Sequence, residues 1–200
     1  MGTGTLASRA FRPDPTGLFL GQGAFFAVAS FLFVREFGVS SGTLGVLSTI
    51  VVVGLLAGRF LTMFLRKRYS NHFAFMLNSA IVIISAVVMM LYYIMTGAHD
   101  AGEVIAGMTL QAVGFSGLAI LALNNCMLMA GERKGIISAM YNFMNQGASL
   151  LGILLVQILF SIGFNSMQIF QTVLYVVLLL AMVGTLLFKR IYPKCKEVIE

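Results

Sequence analysis

The sequence predicts an all-α fold, a polytopic membrane helical bundle with six transmembrane helices. Three features carry that prediction. Of 200 residues, 59% are hydrophobic and 10% charged, and the mean hydropathy is +0.95; a soluble domain of this size carries roughly a quarter charged residues to cover its surface. The apolar residues fall into six blocks, each near the ~20 residues that cross a bilayer as helix. The basic residues cluster between alternate blocks, the distribution that sets orientation across a membrane.

The blocks lie at 17–34, 44–65, 73–95, 104–130, 136–162 and 168–188. The first continues for about a bilayer's width with no small-residue cleavage site behind it, so it is expected to be a retained anchor. The fourth and fifth exceed the minimum length, which predicts tilt or extension past the hydrocarbon edge. Transmembrane β-strands would show roughly ten-residue segments with alternating polarity, and these blocks show neither property. Pro13, Pro15 and Pro193 all lie outside the blocks, so proline does not interrupt any of the six expected spans. Domain organisation follows: a cytoplasmic N-terminal segment at 1–16, the bundle at 17–188, and a cytoplasmic basic tail at 189–200.

Orientation rests on the loops. Arg9 and Arg12, then Arg66, Lys67 and Arg68, then Arg133 and Lys134, then Lys189, Arg190, Lys194 and Lys196 account for eleven of the thirteen basic residues. Opposite loops hold Arg35 with Glu36, His99, Asp100 and Glu103. Basic residues are retained on the cytoplasmic side, so both termini are expected there and the chain is expected to be a multi-pass protein of the cell membrane, inner or plasma. The net charge of +6 therefore reads as topology; a nucleic-acid partner would need basic residues spread over an exposed face. Cys126 and Cys195 lie far apart with no CxxC or histidine pair beside them, which suggests neither a disulfide framework nor a metal site. The start Met1-Gly2 is followed by Leu6 where N-myristoylation needs Ser or Thr. No Walker sequence, HExxH, Ser/His/Asp arrangement or paired carboxylate occurs, so no catalytic residue, metal or cofactor is expected and the chain is not read as an enzyme. No Asp or Glu falls in the middle of any block, although a proton-coupled carrier usually uses such a group.

Within the blocks, small and polar residues are unevenly spread. Gly17 with Gly21 and Gly54 with Gly58 have GxxxG spacing, and Gly107, Gly114, Gly117, Gly147 and Gly152 add further small sites. Small residues allow the close approach on which helix association in lipid depends. Blocks three and six are almost free of glycine, which predicts that one, two, four and five pack closely and the other two lie outside. The same four blocks hold Gln22, Arg59, Gln111, Asn124 and Asn125. In the fifth, Asn142, Gln146, Ser149 and Gln157 fall along one helical face. A polar stripe against lipid is unfavourable, so this one is expected in the bundle interior or on an aqueous cavity. Two readings stay open for the amides: hydrogen bonds that hold helices together, or the lining of a substrate path. Arg59, seven residues before Arg66, either snorkels to the cytoplasmic interface or faces inward.

The stretch Gly58-Arg59-Phe60-Leu61-Thr62-Met63-Phe64-Leu65-Arg66-Lys67-Arg68-Tyr69-Ser70-Asn71 resembles the GxLaDRxGRR loop motif of the major facilitator superfamily. Gly58 and Arg59 open it, Leu65 and Arg68 match, and Met63, Lys67 and Ser70 stand where the motif has Gly, Asp and Gly. Residues 108–117 resemble the family's RxxQGxG segment, keeping Gln111 and Gly114 with Met108 in place of the arginine. Residues 132–135, Ser138 and the Gly147 to Gly152 region are similar to the following loop and fifth helix, without the antiporter GP pair. The likeness extends over nearly the whole chain in span order, loop charge and glycine placement, and is greatest to the C-terminal six-helix half of a drug-efflux type carrier. It implies a half-bundle whose first, second, fourth and fifth helices face a cavity, with Gln22, Gln111, Asn142 and Gln146 as candidate lining residues. It also implies a small-molecule substrate, efflux of small molecules or drugs among the possible activities, and a second six-helix bundle, either another copy or a separate half, as partner. The alternative is a transport-incompetent truncated carrier or a membrane assembly subunit in which the amides serve only as glue. A six-helix channel is less well supported, because no ring of charges or filter-like loop is visible.

Overall fold

A computed structural model of the chain describes the backbone of residues 16–97, 99–129 and 133–199, and the side chains of 23–97, 99–127 and 133–186. Among the described residues there are six α-helices: α1 (Thr16–Phe31), α2 (Ser41–Arg68), α3 (Asn71–Thr96), α4 (Ala101–Met129), α5 (Lys134–Ser161) and α6 (Ser166–Ile199). Five of them, α2 to α6, contain stretches long and apolar enough to cross a membrane. The α-helical part of α1 has 16 residues and runs on into a π-helical turn, Leu32–Glu36. The backbone of α6 stays helical beyond the expected end of its span at 188, through Pro193.

Local chemistry sets the helix ends. The Ser40 and Ser70 hydroxyls accept from the Thr43 and Phe73 amides, each at 3.2 Å, satisfying donors that the first turn leaves over. Gly97 closes α3 at φ 75°, a left-handed conformation that a residue with a Cβ adopts only with strain. Arg66, Lys67 and Arg68 occupy the last turn of α2, where cations complement the helix dipole.

Packing falls into two interlocked sets. α1 packs mainly on α5 and then on α6; α4 packs mainly on α2 and α3; contacts between α3 and α6 join the sets. Exchanging α1 with α4, α2 with α5 and α3 with α6 leaves this pattern of principal contacts unchanged. The α1–α5 and α2–α4 contacts are both backbone-close. A methyl at Gly23 would overlap the Ser149 backbone, and one at Gly58 would overlap the Val113 carbonyl and the Ser116 hydroxyl.

The expectation that α3 and α6 lie outside is corrected by these contacts. α3 buries Ala74, Asn78, Ser79, Val82, Ser85, Ala86 and Met89, and α6 buries Ile169, Phe170, Val173, Leu174, Val177 and Ala181. Glycine is needed on only one side of a close contact. Gly107, Gly114 and Gly117 of α4 receive Met89, Val82 and Asn78 of α3, while Ala and Ser keep the α3 face low. The helices left most open are α2 and α5: 17% of the apolar stretch of each is buried, against 56% for α4. Nothing lies within 4 Å of a methyl built at Gly147, so that glycine is not a packing site within the bundle.

These contacts predict opposite outcomes for two glycines. Gly58→Val should lower the detergent-solubilised chain's melting temperature by several degrees, or prevent its accumulation, since overpacking of a close contact costs about 1–3 kcal/mol. Gly147→Ala should be neutral or stabilising, because alanine is favoured over glycine in a helix by roughly 1 kcal/mol. Thermal unfolding followed by circular dichroism checks both.

Candidate functional site

Gln111 is the polar residue that the fold leaves in the least favourable surroundings. It lies midway along α4, is 5% exposed, and neither its Oε1 nor its Nε2 has a hydrogen-bond partner among the described residues. Phe25 and Phe26 of α1, Met108, Ala112 and Phe115 of α4 and Val177 of α6 line a pocket with it, of about 10 Å³, roughly enough for one water molecule. The gap exists because α1 engages α5 and α6, and α4 engages α2 and α3, while α1 and α4 do not pack closely on each other.

Phe25 is held in place by stacking on Phe170 of α6, with ring centroids 5.4 Å apart. Phe26 and Met108 also form part of a second, larger cavity of about 200 Å³ between α1, α2 and α4. Its lining is largely apolar, with the hydroxyls of Ser30 and Ser48. Ser30 donates to the Phe26 carbonyl at 3.0 Å. Among the described residues, no charged side chain lines either cavity.

The stripe on α5 lies elsewhere. Asn142, Gln146 and Gln157 are exposed on the outer surface of the bundle, among Phe143, Leu150, Leu154 and Ile158, which are also exposed. Ser149 is half-buried against α1 at Gly23. The expected interior placement is therefore excluded for this chain's own bundle. Helical periodicity shows which residues share a face; it does not show which way the face turns. Asn142 and Gln146 are not brought together with Gln111, and Gln22 lies on α1 with its side chain outside the described residues.

The loop-motif residues have separate roles. Gly58 lets α2 approach α4, Arg59 is exposed on α2, and Leu65 is buried with Ala74 and Leu121. Arg68 is exposed at the end of α2, and nearby the Arg66 Nε donates to Asn71 Oδ1 at 2.9 Å. Asn78 is the structural counterpart of Gln111. Its buried Nδ2 donates to Thr62 Oγ1 at 3.0 Å and to the Ala74 carbonyl at 2.7 Å, tying α3 to α2.

One polar cluster was missed in the sequence. His99 is buried, with Nδ1 2.8 Å from Glu103 Oε2. Its ring stacks on Tyr93 at 5.2 Å and meets the edge of Phe170 at 5.0 Å, so the pair links α3, α4 and α6. The Tyr92 hydroxyl donates to Asp100 beside it. The i, i+4 spacing of His99 and Glu103 was the available signal, but it looked like an ordinary loop pair until α6 was placed over it.

Compared with protein-family profiles, with curated proteins and with solved structures, the chain matches none of them.

The two buried amides should respond oppositely to removal. Gln111→Leu deletes an unpaired polar group and should leave the ligand-free protein equally stable or more so. Asn78→Leu breaks two hydrogen bonds and leaves a buried acceptor bare, at about 1–3 kcal/mol. Paired melting curves in one detergent measure the difference.

Proposed function

We propose that the chain is one six-helix half of a secondary transporter of the major facilitator type, forming one wall of an alternating-access cavity for small molecules. The observation that supports this most is the exposed amide stripe on α5. Asn142, Gln146 and Gln157 project from a helix apolar enough to cross a membrane, and an amide facing hydrocarbon without partners is costly. Water in a cavity, or a second bundle closing over that cavity, removes the cost. The openness of α2 and α5 agrees with this, since these are the helices a second bundle would cover.

The packing pattern gives independent support. Equivalence of α1–α3 with α4–α6 is the arrangement of an inverted-topology repeat, which occurs within each half of major facilitator carriers, and such carriers bind substrate between two halves near the middle of the membrane. α1 is then a sixth membrane crossing, both termini are cytoplasmic, and the partner is a second copy or a separate half. The unpaired state of Gln111 favours this reading over a bundle in which every amide is glue, because it holds no neighbouring helix among the described residues.

The double substitution Asn142→Leu/Gln146→Leu should leave the melting temperature unchanged within about 2 °C while reducing efflux of a fluorescent amphiphile from expressing cells at least tenfold. Loss of folding alone would instead assign the amides to assembly, as in a transport-incompetent subunit. Purification in lipid nanodiscs should recover the chain with a second bundle. A strictly monomeric chain that transports in liposomes would refute the partner requirement.

A further inference from the structure

We propose that the cavity between α1, α2 and α4, together with the adjoining small pocket that holds Gln111, binds an uncharged planar aromatic molecule bearing a carboxamide-type donor and acceptor side by side. This rests on the transporter reading only in treating the ligand as cargo; the binding chemistry follows from the cavity itself.

The polar requirement comes from Gln111. A primary amide presents one acceptor and one donor in the same plane, and here both are buried with no partner among the described residues. A single water in the 10 Å³ pocket beside them could occupy one or both of those positions. A second carboxamide or lactam satisfies both at once through two antiparallel hydrogen bonds. The apolar requirement comes from the surrounding walls. Phe25, Phe26 and Phe115 surround the amide, and Phe33, Val51 and Leu55 line the 200 Å³ cavity beyond. That volume suits a body of one or two rings. A charged ligand is disfavoured because no ionised side chain among the described residues lines either cavity and burying an unpaired charge is expensive.

Access to Gln111 from the larger cavity depends on Phe26 and Met108, the residues common to both linings. Phe25 is stacked on Phe170, whereas Phe26 is half-buried and Met108 carries a flexible unbranched thioether. A change of rotamer at these two positions merges the small pocket with the large one. The amide of the ligand then reaches Gln111 while its ring occupies the space between α1 and α2.

Binding of 4-fluorobenzamide and 4-fluorotoluene to the full chain in lipid nanodiscs, followed by fluorine NMR against protein-free nanodiscs, separates the amide contribution from simple partitioning. The expected result is saturable binding of 4-fluorobenzamide that weakens about tenfold or more in Gln111→Leu, as two lost hydrogen bonds imply, with no weakening for 4-fluorotoluene. Val51→Phe, which fills the larger cavity, should abolish saturable binding of both probes. Partitioning of 4-fluorobenzamide no different from that into protein-free nanodiscs, or equal binding to wild type and Gln111→Leu, overturns the proposal. Because binding is read without transport, a chain that binds 4-fluorobenzamide but moves nothing refutes the carrier reading alone, and a chain that transports without binding it refutes this one alone.

Discussion

An amide inside hydrocarbon must find a hydrogen-bond partner, and that constraint orders the rest of this structure. Water is not there to satisfy it, so each polar side chain within a span has to meet protein, reach an aqueous space or remain at a cost of several kcal/mol. Asn78 meets the requirement within the fold with its Nδ2, through Thr62 and its own helix, while its Oδ1 has no partner among the described residues. Gln111 has no hydrogen-bond partner among the described residues, and Asn142, Gln146 and Gln157 of α5 are exposed on the outside of the bundle. The first explains how α2 and α3 are tied together; the second points to what the bundle meets beyond itself.

Those bare amides follow from how the helices pack. Glycine contacts bring α1 onto α5 and α2 onto α4 so closely that backbone meets side chain or backbone, and α3 and α6 fill in behind them. Commitment of α1 to one set and α4 to the other leaves the space between them underpacked. The same division leaves α2 and α5 with only one well-covered side each. A cavity and two open helix faces are thus consequences of one packing scheme rather than separate features.

Much of the architecture was legible in the sequence because the bilayer imposes a length. All six blocks coincide with helices to within a few residues, apart from the extension of α6. The GxxxG pair Gly54 and Gly58 is a close contact as expected. Pair assignments were less legible. Glycine content misplaced α3 because the glycines that bring it close are on α4, where Gly107, Gly114 and Gly117 receive Met89, Val82 and Asn78. Gly147 carried a packing expectation and Gly23 none, yet of the two it is Gly23 that meets a neighbour within the bundle. Asn142 and Gln146 were correctly placed on one face, but a periodic pattern has no sign, so their outward direction had to come from the fold. That neither amide atom of Gln111 has a partner among the described residues could not be read from residue type, since Asn78 is also a buried amide and its Nδ2 is bonded twice.

The central claim is that the amide face of α5 meets water rather than lipid. Single cysteines introduced as Gln146→Cys and Leu151→Cys, in a chain with Cys126 and Cys195 replaced by serine, place one thiol on the stripe and one on the apolar flank of the same helix. The account predicts that a membrane-impermeant maleimide labels the thiol at 146 in intact membranes and leaves that at 151 unmodified. Equal protection of both positions, in membranes where a permeant maleimide labels each, would contradict it.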